Sequence, residues 1–375
     1  VGGSTGGTAL QLNLLSLSKA ELEELVQSWG QPKYRAKQIL EWVLDKGVRS
    51  YDDMANLPKA LRQLLEEHTT LGSLTCEAEQ ISKDGTTKRA YALADGSLIE
   101  SVLMPYQDGR RTACISSQAG CGMGCKFCAT GQMGFVRHLS ATEIFEQAQV
   151  LSAELQQRDE RLSNVVFMGM GEPLANYDNV LEAARRINTE LGIGARHITI
   201  STVGIVPKIL KLAREPSQFT LAVSLHEATD EGRSSIMPIN RRYNIDELLG
   251  ACREYTAITG RRVTFEWALI HGSNDQPQVA HGLGKLLKGM KCHVNIIPLN
   301  PTQGFLGKPA NPTSLKRFIS ILESYGVPAT SRVRRGIDID AGCGQLTQKT
   351  ERTRKAARAE GEAGREGEAE RNLVK

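Results

Sequence analysis

The chain has 375 residues, with 46 Lys and Arg against 42 Asp and Glu and a formal net charge of +4. This length allows one large domain or a core with small additions, and the mildly basic balance permits a nucleic-acid partner without requiring one. No apolar run approaches the roughly 18 residues of a membrane span, no signal peptide opens the chain and the first residue is Val, so we expect a trimmed, cytoplasmic protein that binds no membrane.

The first 70 residues predict a short tail and a helical domain. Residues 1–10 are rich in Gly, Ser and Thr, and we expect them to be disordered. Ser18 stands three residues before Glu21, the spacing of a capping box that starts a helix. Two further helices are predicted over Lys33–Lys46 and Pro58–His68. Residues 11–70 would then form a helical accessory domain, whose basic side chains fit an RNA-binding surface or an ordinary solvated face.

The rest of the chain changes to strands and then to alternating strands and helices. Residues 71–108 predict a β-rich connector with a hairpin at Asp95-Gly96. In residues 109–346 six strands are each followed by a helix, which predicts an α/β fold with a partial (β/α)6 barrel. The predicted strands are Thr112–Ser116, Asn164–Met168, His197–Ser201, Phe219–Ser224, Val263–Ile270 and His293–Pro298. Residues 347–375 are charged and poor in large apolar side chains, and we expect a disordered tail.

Four of the eight cysteines lie in one short stretch of the chain. Cys121, Cys125 and Cys128 have the spacing C-x3-C-x2-C in a Gly-containing loop, with Cys114 just upstream. Soft thiolates favour zinc or iron–sulfur clusters, and a structural zinc site usually has four protein ligands. Three thiolates on a [4Fe–4S] cluster leave one iron open for a further ligand, such as S-adenosylmethionine. The alternative is a zinc loop with a remote fourth ligand.

Other polar motifs follow the predicted strands, so they would share the rim at which barrel enzymes bind ligands. Gly171 exposes main chain, Glu172 can accept from an ammonium group, and Ser201 can donate to a carboxylate. Ser224 and Asn300 can bond ribose or adenine, as can His226, for which a structural role is nearly as good an interpretation. Leu225 would contribute main chain alone. These residues predict the cofactor-binding surface.

Several motifs together resemble the RlmN-type dual-specificity RNA methyltransferases of the radical S-adenosylmethionine superfamily. They are "ACISSQAGCGMGCKFCATGQMGF", "FMGMGEPLANYDNV", "AVSLHEATDEGRSSIMPIN", "NIIPLNPT" and "RGIDIDAGCGQL", and the likeness runs from about Ser18 to Leu346. The resemblance implies a [4Fe–4S] cluster, S-adenosylmethionine, and methylation of C2 of an adenine in 23S ribosomal RNA and possibly in tRNA. It also implies an external electron donor, and we expect a monomer.

The resemblance assigns roles to three residues outside the cysteine loop. Cys343 would take a methyl group from S-adenosylmethionine, and a radical formed from a second molecule would join that methyl carbon to the RNA. Cys114 would then attack Cys343 and release the product with a transient disulfide. Glu100 would accept a proton. From the residues alone, Cys343 also fits a small buried thiol in a turn, and Glu100 an exposed carboxylate at a strand end.

Basic side chains near the predicted rim could bind RNA phosphates: Arg110, Arg111, Arg241, Arg242, Arg261, Arg262, Arg332, Arg334 and Arg335. Three rival functions remain at this point: a related enzyme that methylates C8 of the same adenine, a radical enzyme acting on a small molecule or protein, and a non-catalytic, zinc-dependent RNA-binding module. The isolated Cys343 and Cys114 argue against the second.

Overall fold

The fold joins a small helical unit to a ten-stranded sheet. The computed structural model describes residues 11–302, 304–332, 335–339 and 344–354. Within these ranges, no helix combines the length and the apolar character needed to cross a membrane.

The N-terminal unit contains three helices and one pair of short parallel strands. Its elements are β1 (Leu12–Asn13), α1 (Lys19–Ser28), α2 (Tyr34–Leu40), α3 (Lys59–His68) and β2 (Thr69–Thr70). α1 begins where predicted because Ser18 and Glu21 form the capping box, each side chain accepting the other's main-chain N–H. The second helix was predicted as one α-helix over Lys33–Lys46, but α2 ends at Leu40 and one π-helical turn, Glu41–Asp45, follows.

Three antiparallel strands extend the main sheet rather than forming a separate layer. They are β3 (Thr75–Ile81), β4 (Thr87–Ala92) and β5 (Leu98–Pro105). β4 and β5 form the hairpin that Asp95-Gly96 predicts, with Ala90 opposite Glu100. β5 pairs in turn with the first strand of the barrel, β6 (Arg111–Cys114). Glu100 is therefore buried in the middle of a strand next to the barrel.

The barrel has six strand–helix units and a further parallel strand, and its sheet does not close. After β6 the strands are β7 (Gln118–Gly120), β8 (Phe135–His138), β9 (Asn164–Phe167), β10 (Ile198–Thr202), β11 (Thr220–Ser224), β12 (Val263–Leu269), β13 (Cys292–Pro298) and β14 (Ala329–Ser331). The parallel order is β6-β9-β10-β11-β12-β13-β14, while β7 and β8 form a separate hairpin. The prediction of a partial barrel is confirmed. It missed β14, β7 and β8, which are too short for a periodic pattern.

The helices of the barrel cover the outer face of the parallel strands. They are α5 (Ala141–Gln156), α6 (Tyr177–Glu190), α7 (Val206–Ala213), α9 (Ile245–Thr259), α10 (Pro277–Leu287) and α11 (Pro312–Ser324). Two short helices lie at the rim instead: α4 (Ala129–Met133) lines the interior cavity, and α8 (Asp230–Ile236) packs against the cysteine loop. Because strand side chains alternate, one set packs on the outer helices and the other points into the barrel. Ile200, Val223 and Phe265 belong to the first set and are fully buried. Ser201 and Ser224 belong to the second and line the interior cavity.

A buried carboxylate attaches the N-terminal unit to the barrel. Glu146 of α5 accepts hydrogen bonds from the main-chain N–H groups of Ser73 and Leu74, and it pairs with Arg49 at 3.2 Å. The Glu146 side chain is fully buried, so these donors replace the water that it has lost.

The last described element is helix α12, over residues 345–354. Leu346 and Thr347 in its first turn are buried. The predicted disordered tail was therefore wrong for residues 347–354, because local composition does not show that this segment packs on the barrel.

Candidate active site

A cavity of about 370 Å³ lies at the carboxyl ends of the parallel strands. Its lining brings together most of the residues singled out in the sequence: Glu100, Cys114, Cys121, Cys125, Cys128, Gly171, Glu172, Ser201, Ser224, His226 and Asn300. Leu225 does not line it. Cys343 lies outside the described residues. One cavity therefore joins the cysteine loop to Glu100 and Cys114.

The cysteine loop is fixed by main-chain hydrogen bonds to neighbouring segments. The N–H of Cys121 donates to the carbonyl of Gly134 at 2.7 Å, and the N–H of Lys126 donates to that of Ile236 at 3.0 Å. Gly120 has a φ of +70°, and a Cβ there would lie 2.0 Å from the Gly134 oxygen. Only glycine therefore allows the close approach of β7 and β8 on which the loop stands.

The three thiols form a site that suits an iron–sulfur cluster. Burial raises the pKa of Cys121 to about 12 and also raises the pKa of Cys125, and the nearby Cys128 contributes to both shifts. A positively charged metal group would instead stabilise the thiolates. Among the described residues, no group of three or more His, Cys, Asp or Glu side chains is arranged to hold a single metal ion. Soft thiolates of this kind bind iron–sulfur clusters, in which each thiolate would ligate a different iron.

Gly171 and Glu172 form one wall of the cavity. Gly171 has a φ of +102°, and a Cβ there would lie 2.6 Å from the Cβ of Gln118. The Glu172 carboxylate accepts from Thr202 Oγ1 at 2.7 Å, Val203 N at 2.8 Å and Leu174 N at 3.0 Å. Burial nevertheless raises the pKa of Glu172 to about 7. A carboxylate with this environment favours a cationic ligand beside it.

His226 is a neutral ring held in a strained position. Its φ is +61°, in the left-handed region that residues other than glycine rarely adopt. Nδ1 accepts from the N–H of Ala268 at 2.8 Å, which places the proton on Nε2 and makes that atom a donor. Burial lowers the pKa of His226 to about 3. The ring also meets Phe127 edge-on at 4.8 Å, so it supports the cysteine loop.

Arg233 was missed in the sequence and connects two of the loops at the rim. Its guanidinium is fully buried and donates to the carbonyls of Val203, at 2.5 Å, Ser224, at 3.1 Å, and Leu225, at 3.2 Å. Because the N–H of Leu225 bonds Glu266, both main-chain polar groups of Leu225 have protein partners. The prediction that Leu225 contributes main chain to a ligand stays untested, and these bonds give it a structural role.

Glu100 is neither exposed nor at a strand end. Its side chain is 2% exposed, and Oε2 lies 3.1 Å from Nζ of the fully buried Lys88. The main-chain N–H groups of Gly344 and Thr347 also donate to it, at 2.7 Å and 2.6 Å. The alternative interpretation of Glu100 as an exposed carboxylate was therefore wrong. Glu100 lies against the segment that directly follows Cys343.

Cys114 ends β6 on the same side of the cavity, and it forms no disulfide with another described cysteine. Burial raises its pKa to about 11, although the nearby cations Arg332 and Lys88 lower it. Glu266 also lines the cavity, accepts from Asn295 Nδ2 at 2.7 Å, and has a pKa raised to about 7 by burial. Glu266 could have been found, because a carboxylate in the apolar stretch "VTFEWALI" is unusual.

Two matches to family models and several to known proteins agree with this arrangement. Residues 115–281 match the radical SAM superfamily, and residues 12–71 match the ribosomal RNA large subunit methyltransferase N-terminal domain. A dual-specificity RNA methyltransferase RlmN 1 of Myxococcus xanthus is 48% identical, over 91% of this chain and 95% of that protein. A probable RlmN of Moorella thermoacetica is also 48% identical, over 90% and 97%.

A solved structure shows the same fold. It is a radical SAM methyltransferase from Sphaerobacter thermophilus, with a TM-score of 0.85 and 47% identity over 89% of this chain and 98% of that one. The fold and the three-cysteine loop therefore define a radical SAM enzyme. Within that class, the chain belongs to the RlmN family of dual-specificity methyltransferases. Membership brings the [4Fe–4S] cluster and S-adenosylmethionine as cofactors, which the cavity fits.

Proposed function

We propose that this enzyme methylates C2 of an adenine in 23S ribosomal RNA and of the adenine beside the tRNA anticodon. The observation that carries the proposal is one cavity holding the three cluster thiols together with Glu100 and Cys114. The names of its relatives state RNA as their substrate, and their chains match along nearly the whole length. We place the enzyme in the cytoplasm, as a monomer that takes electrons from an external donor.

The cofactor side of the cavity would be held by residues of five loops. Cys121, Cys125 and Cys128 would bind the cluster, leaving one iron for S-adenosylmethionine. Gly171, Glu172 and Ser201 would receive the amino acid end of that nucleotide, and Ser224, His226 and Asn300 its ribose and adenine. When bound, these cofactors supply a methyl group and a carbon radical. The protein's own residues have to place the methyl-accepting thiol and the RNA base close to the bound cofactors.

The transfer side would be formed by Cys343, Glu100 and Cys114. The S-methyl group of Cys343 would lose a hydrogen atom to the cofactor-derived radical, and its carbon would then bond to C2. The resulting adduct would give up one electron, which returns to the redox centre, and its C2 proton, which Glu100 would accept. The Cys114 thiolate then attacks the Cys343 sulfur, so an S–S bond forms as the S–C bond breaks. The electron pair of that S–C bond stays on the carbon, which takes up a proton and becomes the methyl group of the product.

RNA would reach the cavity across its basic margin and the N-terminal unit. Arg335 lines the cavity and lies over the Tyr106 ring at 4.2 Å. Lys33 and Lys37 are exposed in the unit that matches the ribosomal RNA methyltransferase domain. Arg110 and Arg111 are instead paired with Asp108 and Glu160, so they are poorer candidates for phosphate contacts. The target adenine would have to be unstacked from its neighbouring bases before its C2 atom could enter the cavity.

An anaerobic assay tests the proposal against its rivals. The cluster-loaded enzyme, S-adenosylmethionine, a reductant and RNA should give 2-methyladenosine, identified by mass spectrometry of the nucleosides. Cys343→Ala should retain its iron and give no methylated RNA. Product methylated at C8 would support the related resistance enzymes, and full activity of Cys343→Ala would remove Cys343 as the methyl carrier.

A second variant separates the two thiols. Cys114→Ala should still take a methyl group on Cys343 and should accumulate RNA bound covalently to the protein, because the step that releases it is lost. Gel electrophoresis under denaturing conditions, with and without nuclease, measures this adduct. Normal turnover by Cys114→Ala, with no adduct, would contradict the resolving role.

A further inference from the structure

Two buried charges meet at the start of the last helix. Lys88 of β4 is fully buried, and its Nζ lies 3.1 Å from Oε2 of Glu100 on β5. Oε2 also accepts from the N–H of Gly344 at 2.7 Å, and Oε1 accepts from the N–H of Thr347 at 2.6 Å. Gly344 directly follows Cys343, and Thr347 lies in the first turn of α12.

Glu100 supplies hydrogen-bond acceptors for N–H groups at the start of α12. The first N–H groups of a helix have no partner within it, and a negative charge beside them is favourable. Hydrogen bonds from N–H groups to an ionised carboxylate are stronger than those between neutral groups. Glu100 thus holds the chain on the C-terminal side of Cys343 with two charge-assisted bonds.

Lys88 makes a buried carboxylate at this position tolerable. An ionised carboxylate without a compensating charge is costly inside a protein. The paired strands fix the partner, because β4 and β5 place Ala90 opposite Glu100 and Lys88 opposite Val102, one step along the same face. The rigid hairpin therefore determines where the carboxylate points.

We propose that Lys88 is a positioning residue that acts through Glu100 to hold residues 344–347 and so sets the position of Cys343 relative to Cys114. We call the pair and the two N–H groups the Lys88–Glu100 anchor. Its consequence for catalysis rests on the proposed roles of Cys343, Glu100 and Cys114, whereas its geometry does not.

The anchor also couples the protonation of Glu100 to its hold on residues 344–347. A carboxylate offers about four lone-pair directions. Among the described residues, Lys88, Gly344 and Thr347 occupy three of them. A proton taken up by Glu100 would remove the negative charge to which both N–H groups donate, so proton transfer from the RNA would weaken the hold of Glu100 on residues 344–347.

A double-variant cycle tests the anchor in the full-length, cluster-loaded enzyme. Lys88→Met, Glu100→Gln and the combination are compared by hydrogen exchange of the peptide covering residues 344–354. We expect exchange to rise about 10- to 100-fold in each single variant, as for the loss of a charge-assisted hydrogen bond. The combination should exchange no faster than Glu100→Gln, because Lys88 acts through that carboxylate.

Activity provides the second measurement. In Lys88→Met, kcat for RNA methylation should fall about 10- to 100-fold with KM for RNA unchanged, because the methyl carrier is misplaced. The iron content should stay at the parent's level. Arg89→Met is the matched control, since Arg89 is the next residue of β4 and its ion pairs, with Glu79 and Glu154, lie on the other face. It should leave exchange of residues 344–354 and kcat unchanged.

Three results would overturn the anchor: unchanged exchange of residues 344–354 in Lys88→Met, multiplicative effects in the combined variant, or faster exchange with undiminished kcat. If Lys88→Met does not fold, Lys88→Gln takes its place in both the exchange and the activity measurement. Failure of the proposed function would give a different result. A fully active Cys343→Ala would remove Cys343 as the methyl carrier, but it would not change the exchange rates measured in the Lys88 and Glu100 variants.

Discussion

The two sides of the cavity are built on different principles. The cofactor half, formed by the cysteine loop, Glu172, His226 and Arg233, is held mainly by hydrogen bonds to main-chain atoms of the barrel rim. The transfer half, formed by Glu100, Cys114, Glu266 and Arg332, depends more on buried charge: Glu100 pairs with Lys88 and binds the segment after Cys343, and Arg332 lowers the pKa of Cys114 and of Glu266 against the effect of burial.

This difference matches the work that each half would do. A cluster and a nucleotide need a fixed position, and main-chain bonds from several strands give one that no single side chain controls. A methyl-carrying thiol has to meet several partners in turn, so its segment needs contacts that a proton can weaken. Variants in the cofactor half should therefore abolish cofactor binding or destabilise the fold. Variants in the transfer half should slow individual reaction steps or change the pH dependence of stability.

The largest effect is expected in the cofactor half, from Cys125→Ser. Cys125 is buried at 6% exposure among the other two thiols, and a hydroxyl is a poor ligand for iron in such a site. Iron, sulfide and the visible absorption of the anaerobically loaded protein should fall to background, and RNA methylation should be undetectable. Cys76→Ser, at an exposed cysteine of β3, is the control and should keep both. Iron retained in full by Cys125→Ser would exclude it as a ligand.

A smaller but still large effect is expected from Arg233→Met in the same half. The change leaves the carbonyls of Val203, Ser224 and Leu225 without their donor in a buried environment. We expect a loss of about 3 kcal/mol or more in the free energy of unfolding, measured by urea denaturation under anaerobic conditions. Binding of S-adenosylmethionine should weaken as well, since two rim loops lose their common support.

Arg214→Met separates this effect from the loss of any arginine. Arg214 is exposed and pairs with Glu254, so its replacement should cost less than about 1 kcal/mol. Equal losses of unfolding free energy in the two variants would show that the hydrogen bonds of Arg233 do not stabilise the rim.

The parts that the sequence predicted are those with a local signal. α6 was expected over Asp178–Glu190 and is found at Tyr177–Glu190, because an amphipathic helix after a strand is visible in a single stretch. The C-x3-C-x2-C spacing similarly identified the cluster loop. Lys88 and Arg233 were missed because their partners, Glu100 and the rim carbonyls, are brought to them by strand pairing and by the barrel, which local patterns do not contain.

The smallest predicted effect lies in the transfer half, in the pH dependence of stability. Burial raises the pKa of Glu266 to about 7 from its ordinary value of 4.5, so the folded protein holds this proton more tightly than the unfolded chain. That contribution to stability is present below about pH 4.5 and is lost as the pH rises through about 7. Glu266→Gln removes the loss, and its amide oxygen can still accept from Asn295. Relative to the parent, the variant should gain up to about 3 kcal/mol between pH 5 and pH 8.

Chemical denaturation of both proteins at the two pH values measures the gain, since contributions from other groups cancel in the difference. Glu24→Gln, at an exposed position of α1, is the control and should show the same offset from the parent at pH 5 and pH 8. A Glu266→Gln offset that is equally independent of pH would mean that Glu266 is ionised in the fold at little cost. The transfer half would then depend on Arg332 to keep that carboxylate charged, and the contrast with the cofactor half would be one of geometry and not of buried charge.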